Sequence, residues 1–198
     1  MIQRLEFRCK CGAVGGTIDI PPPVDGEVIV CHCTDCRDFV RLCGKSEIML
    51  DDLGGVSLFN FRGSRLHFSS GLEQMRCLHM TEKPVLRWVC SCCDTPMFNS
   101  FATTRIPFLD IFTATIKDIS PLRGLTSKAR HLFPDSATGD ASDLPASTPA
   151  GLILRTTPRI VREYVSGGRK ANPLFDAKTG EPIAVPRRVS QAERAAIE

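Results

Sequence analysis

A chain of 198 residues with 42% hydrophobic content has enough apolar material for one packed domain with an appendage, and too much for wholesale disorder. Its 25 Lys and Arg nearly balance its 22 Asp and Glu, giving a formal net charge of +3, which excludes the strongly basic surface of a nucleic-acid binder or of a protein held to an acidic membrane. Residues 1–8 carry no apolar signal core and no apolar run reaches the roughly 18 residues of a membrane span, so the expected address is the cytoplasm, with no membrane partner.

From Phe7 to about Lys117 the chain reads as short strands between turns. Gly12–Ile20 ends at Pro21-Pro22-Pro23, a stop that cannot pair within a central strand. Glu27–Val30 runs into a cysteine cluster, and Thr34 or Asp35 just beyond is a good N-cap for one short helix. Val56–Phe61 follows the Gly54-Gly55 turn, Arg87–Val89 leads into another cluster, and Met97–Phe101 and Leu109–Ile116 follow it. Their β-branched and aromatic content, with no sustained helical period, predicts a mainly β domain over residues 1–120. Residues 121–150, richest in Pro, Ser, Ala and Asp after Pro134, read as a flexible linker. Residues 151–198 read as a partly helical extension. Arg159–Val165 would put Ile160, Val161 and Tyr164 on one face and end at Gly167-Gly168, and Ser190–Glu193 matches a capping box.

Ten cysteines are the anomaly of the composition. Disulfides are rare in a reducing cytosol. Eight of the ten fall in three tight clusters, where neighbours share a metal ion more readily than they bridge to each other. Cys9-Lys10-Cys11 supplies one pair of thiolates and Cys90-Ser91-Cys92-Cys93 supplies another through Cys90 and Cys93. Together they would close a four-thiolate structural zinc site, with Gly12 and Asp94 as turn-tolerant residues behind each pair. Cys31, Cys33 and Cys36 form a third group with no obvious fourth ligand. Three protein ligands and one open position is the arrangement of a catalytic zinc, whose open position takes water or a thiol. Two other readings stand beside it. A fourth ligand drawn from His32, His67, His79, His131, Cys43, Cys77 or Cys92 would close the site into a second strut, and free thiols would make a redox centre. Arg37, Arg41 and Lys45 follow this cluster, either as carboxylate-recognising groups or as a solvated face.

Three stretches carry a family resemblance: Cys9-Lys10-Cys11-Gly12-Ala13-Val14, Cys31-His32-Cys33-Thr34-Asp35-Cys36-Arg37, and Arg87-Trp88-Val89-Cys90-Ser91-Cys92-Cys93-Asp94-Thr95-Pro96-Met97-Phe98. In this order they resemble the glutathione-dependent formaldehyde-activating family, whose wider group shares the Mss4-like fold, over about the first 117 residues. Asp94 departs from that family's pattern, which has glycine there, and so does the bulky stretch Arg37–Leu42. The resemblance implies antiparallel β sheets built around cysteine-ligated zinc. It implies a structural Zn2+ at Cys9, Cys11, Cys90 and Cys93 and a second Zn2+ at Cys31, Cys33 and Cys36 that does chemistry. The implied activity is that of a carbon–sulfur lyase acting on a small-molecule thiol such as glutathione and on formaldehyde or a related aldehyde. The contrasting expectation is a non-catalytic binding module in which zinc is only a strut.

Overall fold

The computed structural model describes residues 2–197 and is mainly β. In chain order the strands are β1 (Gln3–Arg8), β2 (Gly15–Ile20), β3 (Gly26–Cys31), β4 (Val56–Arg62), β5 (Leu66–Ser70) and β6 (Met75–His79). They continue with β7 (Val85–Cys90), β8 (Pro96–Phe101), β9 (Phe108–Phe112), β10 (Arg130–Leu132), β11 (Ala146–Ser147) and β12 (Arg187–Arg188). The helices are α1 (Thr34–Leu42), α2 (Ser46–Met49), α3 (Arg123–Thr126), α4 (Pro149–Val165) and α5 (Gln191–Ala195).

Three strands make a small antiparallel sheet in the order β1-β2-β5, and nine make a large one in the order β11-β10-β3-β4-β9-β8-β7-β6-β12. The centre of the large sheet is antiparallel, as the short-strand pattern predicts. Its two edges are parallel, because β10 returns beside β3 and β12 beside β6 after long connections that hairpin signals do not reveal. The segment 121–150 supplies β10 and β11 to one of those edges.

Alternation along each strand sends side chains to two separate cores. One lies between the sheets. Leu5, Phe7 and Ile18 of the small sheet meet Phe59, Phe61, Trp88, Phe98 and Ile111 of the large one. The other lies beneath α1, where Phe39 and Val40 meet Val56, Leu58, Leu78, Val89 and Phe112. Each such side chain contributes roughly 1.5–3 kcal/mol on leaving water. The helix anticipated at Thr34 is therefore the cover of the second core, with Cys33 at its N-cap.

Helix α4 starts ten residues before the expected Arg159. Pro158 lies inside the helix. The hydroxyls of Thr156 and Thr157 donate to the carbonyls of Leu152 and Ile153 just upstream. The expected end at Gly167 holds, with a left-handed φ of 72°. The capping box at Ser190 and Glu193 is present in both directions.

Ion pairs fix α4 to the large sheet. Arg62 of β4, only 4% exposed in its side chain, lies 2.7 Å from Asp25 and donates to Glu163 at 2.9 Å. The Ser64 hydroxyl also donates to Glu163, which is 1% exposed. Removing one charge from a buried set leaves the other uncompensated. Glu163→Gln is expected to lower the unfolding free energy by about 2–3 kcal/mol, read as a lower urea midpoint at unchanged slope. A midpoint equal to wild type would mean that Asp25 alone satisfies Arg62.

Two candidate metal centres

The first centre joins the ends of β1 and β7. The chain leaves β1 at Arg8 and makes a tight turn in which Cys9 N–H donates to the Val14 carbonyl at 2.9 Å, so both thiols of the pair project to one side. Gly12 takes a left-handed φ of 82°, which lets the chain double back. After β7, the Asp94 N–H donates to the Cys90 carbonyl and Asp94 takes a left-handed φ of 51°. Arg76 on β6 pairs with its carboxylate. Asp94 thus fills a role that glycine performs with no steric cost.

These two turns bring the sulfurs of Cys9, Cys11, Cys90 and Cys93 within 4.8 Å of one another. The set could hold one metal ion. Thr95 staples the two halves: its hydroxyl oxygen accepts from the Lys10 N–H at 3.1 Å and lies 3.0 Å from the Cys93 sulfur. Val14 N–H donates to the Cys9 sulfur at 3.2 Å. Burial pushes the Cys90 thiol up to about 12. At Cys93 burial is outweighed by hydrogen bonds from Thr95 and Cys11, which bring it down to about 6. Donors aimed at sulfur are what a thiolate, and so a bound cation, requires. The extra sulfur, Cys92, is exposed beside Cys11 and stands outside the group of four.

The second centre is local. The end of β3 presents Cys31, and the first turn of α1 presents Cys33 and Cys36, again with sulfurs within 4.8 Å of one another. Cys31 and Cys36 are buried, and Cys33 is partly exposed, so the group has one solvent-facing side. The helix N-terminus adds a positive dipole end. Hydrogen bonds from the Cys31 and Cys36 thiols lower the pKa of Cys33, and Arg87 adds to the effect. No fourth Cys, His, Asp or Glu joins the three among the described residues.

The candidates for a fourth ligand are all engaged elsewhere. His32 is fully buried and stacks on His131, with Nε2 2.9 Å from His131 Nδ1. His67 lies 3.2 Å from the Asp19 carboxylate, and His79 Nε2 donates to the Lys83 carbonyl. Cys43 is buried beneath α1, and Cys77 lies in the core between the sheets. Of the three basic residues after the cluster, Arg37 donates to the Ser136 carbonyl and Lys45 to the Cys43 carbonyl. These two are structural ties.

Sequence reasoning missed Arg87. It sits on β7 at 5% exposure, its guanidinium 5.9 Å from the Phe39 ring and its Nη1 donating to Cys36 sulfur at 3.5 Å. Burial opposes its charge, and the thiolates of Cys36 and Cys33 more than offset that. The signal available was one charge in the otherwise apolar run Val85–Cys90, since a buried charge needs a partner. Asp35 and Asp38 of α1 are held by Arg194 at 3.3 and 2.6 Å, and Asp35 also by Lys83 at 2.8 Å. No helix among the described residues is long and apolar enough to cross a membrane.

The family model described as a family of unknown function (DUF6151) matches residues 1–185. Among solved structures, a crystallised protein of Rhodobacter sphaeroides is similar at 18% identity, over 60% of this chain and 93% of that one, with a TM-score of 0.41. No curated protein matches this chain.

Proposed function

Since the chain belongs to DUF6151, a family whose function is unknown, we propose a function from its own thiols: a zinc-dependent carbon–sulfur lyase acting on adducts of a thiol with a small aldehyde. The observation that carries this reading is the second centre, three thiols with a solvent-facing side and no fourth ligand among the described residues. The resemblance to the glutathione-dependent formaldehyde-activating family supports it and suggests glutathione and formaldehyde as the pair. Cys9, Cys11, Cys90 and Cys93 would hold a structural zinc, and Cys31, Cys33 and Cys36 a second one. Bound zinc supplies Lewis acidity and lowers the pKa of a thiol at its open position.

In the condensing direction one S–C bond forms. The carbonyl π pair becomes an O–H bond with the proton given up by the thiol, and nothing is oxidised or reduced. The chain's own part is to hold three sulfurs at fixed spacing and to place the Arg87 charge behind them. Asp35 and Asp38 are ion-paired with Arg194 and Lys83, and His79 Nε2 donates to the Lys83 carbonyl.

The test is the metal content of the purified protein, followed by X-ray absorption at the zinc edge during a glutathione titration. Two zincs per chain, with glutathione adding one sulfur to one of them, is the expected result. Two zincs indifferent to glutathione would point instead to a zinc-stabilised binding module. One zinc per chain would remove the second centre and the lyase reading with it.

A further inference from the structure

Between α1 and α4 the large sheet carries a row of polar residues that the function proposed above does not use. On β9, Phe112 lies against Phe39 of α1 with ring centroids 5.8 Å apart. Phe108 lies beneath Arg159 of α4, 5.5 Å from its ring centre. Asp110 stands between these two phenylalanines on the same face and is only partly buried. Its cross-strand neighbours are Asn60 on β4 and Asn99 on β8, and Asn99 in turn faces Arg87 on β7. Directly opposed residues have Cβ atoms about 5 Å apart, so Asn60, Asp110 and Asn99 form one continuous strip.

The strip is rich in unused acceptors. Asn60 is 6% exposed and Asn99 is 2% exposed, yet the Oδ1 of each has no hydrogen-bond partner. Asn60 Nδ2 donates to Asp110 Oδ1 at 2.7 Å, which fixes the amide beside the carboxylate. A buried polar atom left unpaired costs about 1–3 kcal/mol, and here one lies on either side of Asp110. Asp110 has no ion pair among the described residues, and only the more distant Arg87 charge acts on it. Arg62 is matched by Asp25 and Glu163, Arg159 by Asp25 and Glu27, and Arg87 donates to Cys36. A carboxylate flanked by two free carbonyl oxygens calls for a group with positive charge and several N–H donors.

We propose that Asn60, Asp110 and Asn99 form a subsite for the primary ammonium group of a small-molecule ligand. Burial raises the Asp110 pKa to about 6, and an ammonium seated there would hold the carboxylate ionised. Asp110 and Arg87 are two strands apart, about 10 Å across the sheet, with Arg87 in contact with the second cysteine centre. A peptide-sized aminothiol spans that interval, its sulfur at Cys31, Cys33 and Cys36 and its ammonium at Asp110. The sulfur end of this assignment rests on the function proposed above, and the ammonium end does not.

Two probes separate the two ends. S-methylglutathione keeps the ammonium and offers no thiolate, and N-acetyl-S-methylglutathione lacks both. Calorimetric titration of the metal-loaded protein is expected to show the first binding at least tenfold tighter, the effect of roughly one charge-assisted hydrogen bond. Asp110→Asn is expected to abolish that preference without changing the affinity for the acetylated probe. Equal affinities for the two probes, no binding of either, or a preference that survives Asp110→Asn would overturn the subsite and leave the row to ordered water. Failure of the lyase reading has a different signature. Glutathione would then bind no more tightly than S-methylglutathione while the ammonium preference persisted.

Discussion

Cys90→Ser is expected to leave a chain with no cooperative melting transition, while Cys33→Ser stays folded with one metal fewer. The two centres differ in what they hold together. Cys9 and Cys90 are themselves members of the core between the sheets, at 3% and 0% exposure. Their site ties the turn after β1 to the turn after β7, across the core between the two sheets. Structural zinc sites contribute about 10–16 kcal/mol of apparent binding energy, as much as the whole net stability of an ordinary domain. Removing one ligand forfeits most of it. The second centre spans six consecutive residues, already ordered by β3 and α1. Its loss should shift the melting temperature by a few degrees only. Thermal circular dichroism and metal analysis on both variants decide the matter. A folded, metal-free Cys90→Ser protein would rule out the structural role of the first centre.

Arg87→Met should weaken the second centre by 10- to 100-fold in metal affinity, the usual effect of removing a partner that supports a ligand. Methionine fills comparable space beneath Phe39 and carries no charge. The three thiols would lose the buried positive charge that faces Cys36. Competition with a chromophoric chelator measures the change, and the first centre, which has no contact with Arg87 among its hydrogen bonds, serves as the internal control. Unchanged affinity at the second centre would show that the guanidinium does no more than pack against Phe39.

The grouping of the cysteines was legible in the sequence because their spacing is a local property. A C-x-C pair, a C-x-x-C pair and a C-x-C-x-x-C group each declare themselves within six residues. The strands that lead into them were legible too, since β3 and β7 run straight into their cysteines. What escaped was everything set by pairing register. Arg87 belongs to the second centre because β7 places it beneath α1, and Asp110 meets Asn60 because β4 and β9 align there. No local pattern encodes either. β1, β5 and β6 were also missed. Gln3–Arg8 and Met75–His79 mix charged and apolar residues in short alternations that turn signals do not frame. The first ten residues of α4 were missed because the apolar face that marks a helix was read only from Arg159 onward, whereas the helix runs through Pro158.

The two candidate centres also differ in when a growing chain can complete them. Cys31, Cys33 and Cys36 leave the ribosome together, and a short helix arranges them. Cys9 and Cys11 emerge earlier still, but their partners Cys90 and Cys93 follow about eighty residues behind. At roughly 5–20 residues per second, that is an interval of about 4–16 s in which two thiols near the N-terminus stand unpaired. A metal ion arriving during synthesis would find the three-thiol group ready first. If both groups hold metal, the one that joins β1 to β7 would thus be the later to fill, and a cell short of metal would accumulate chains loaded at the second centre alone.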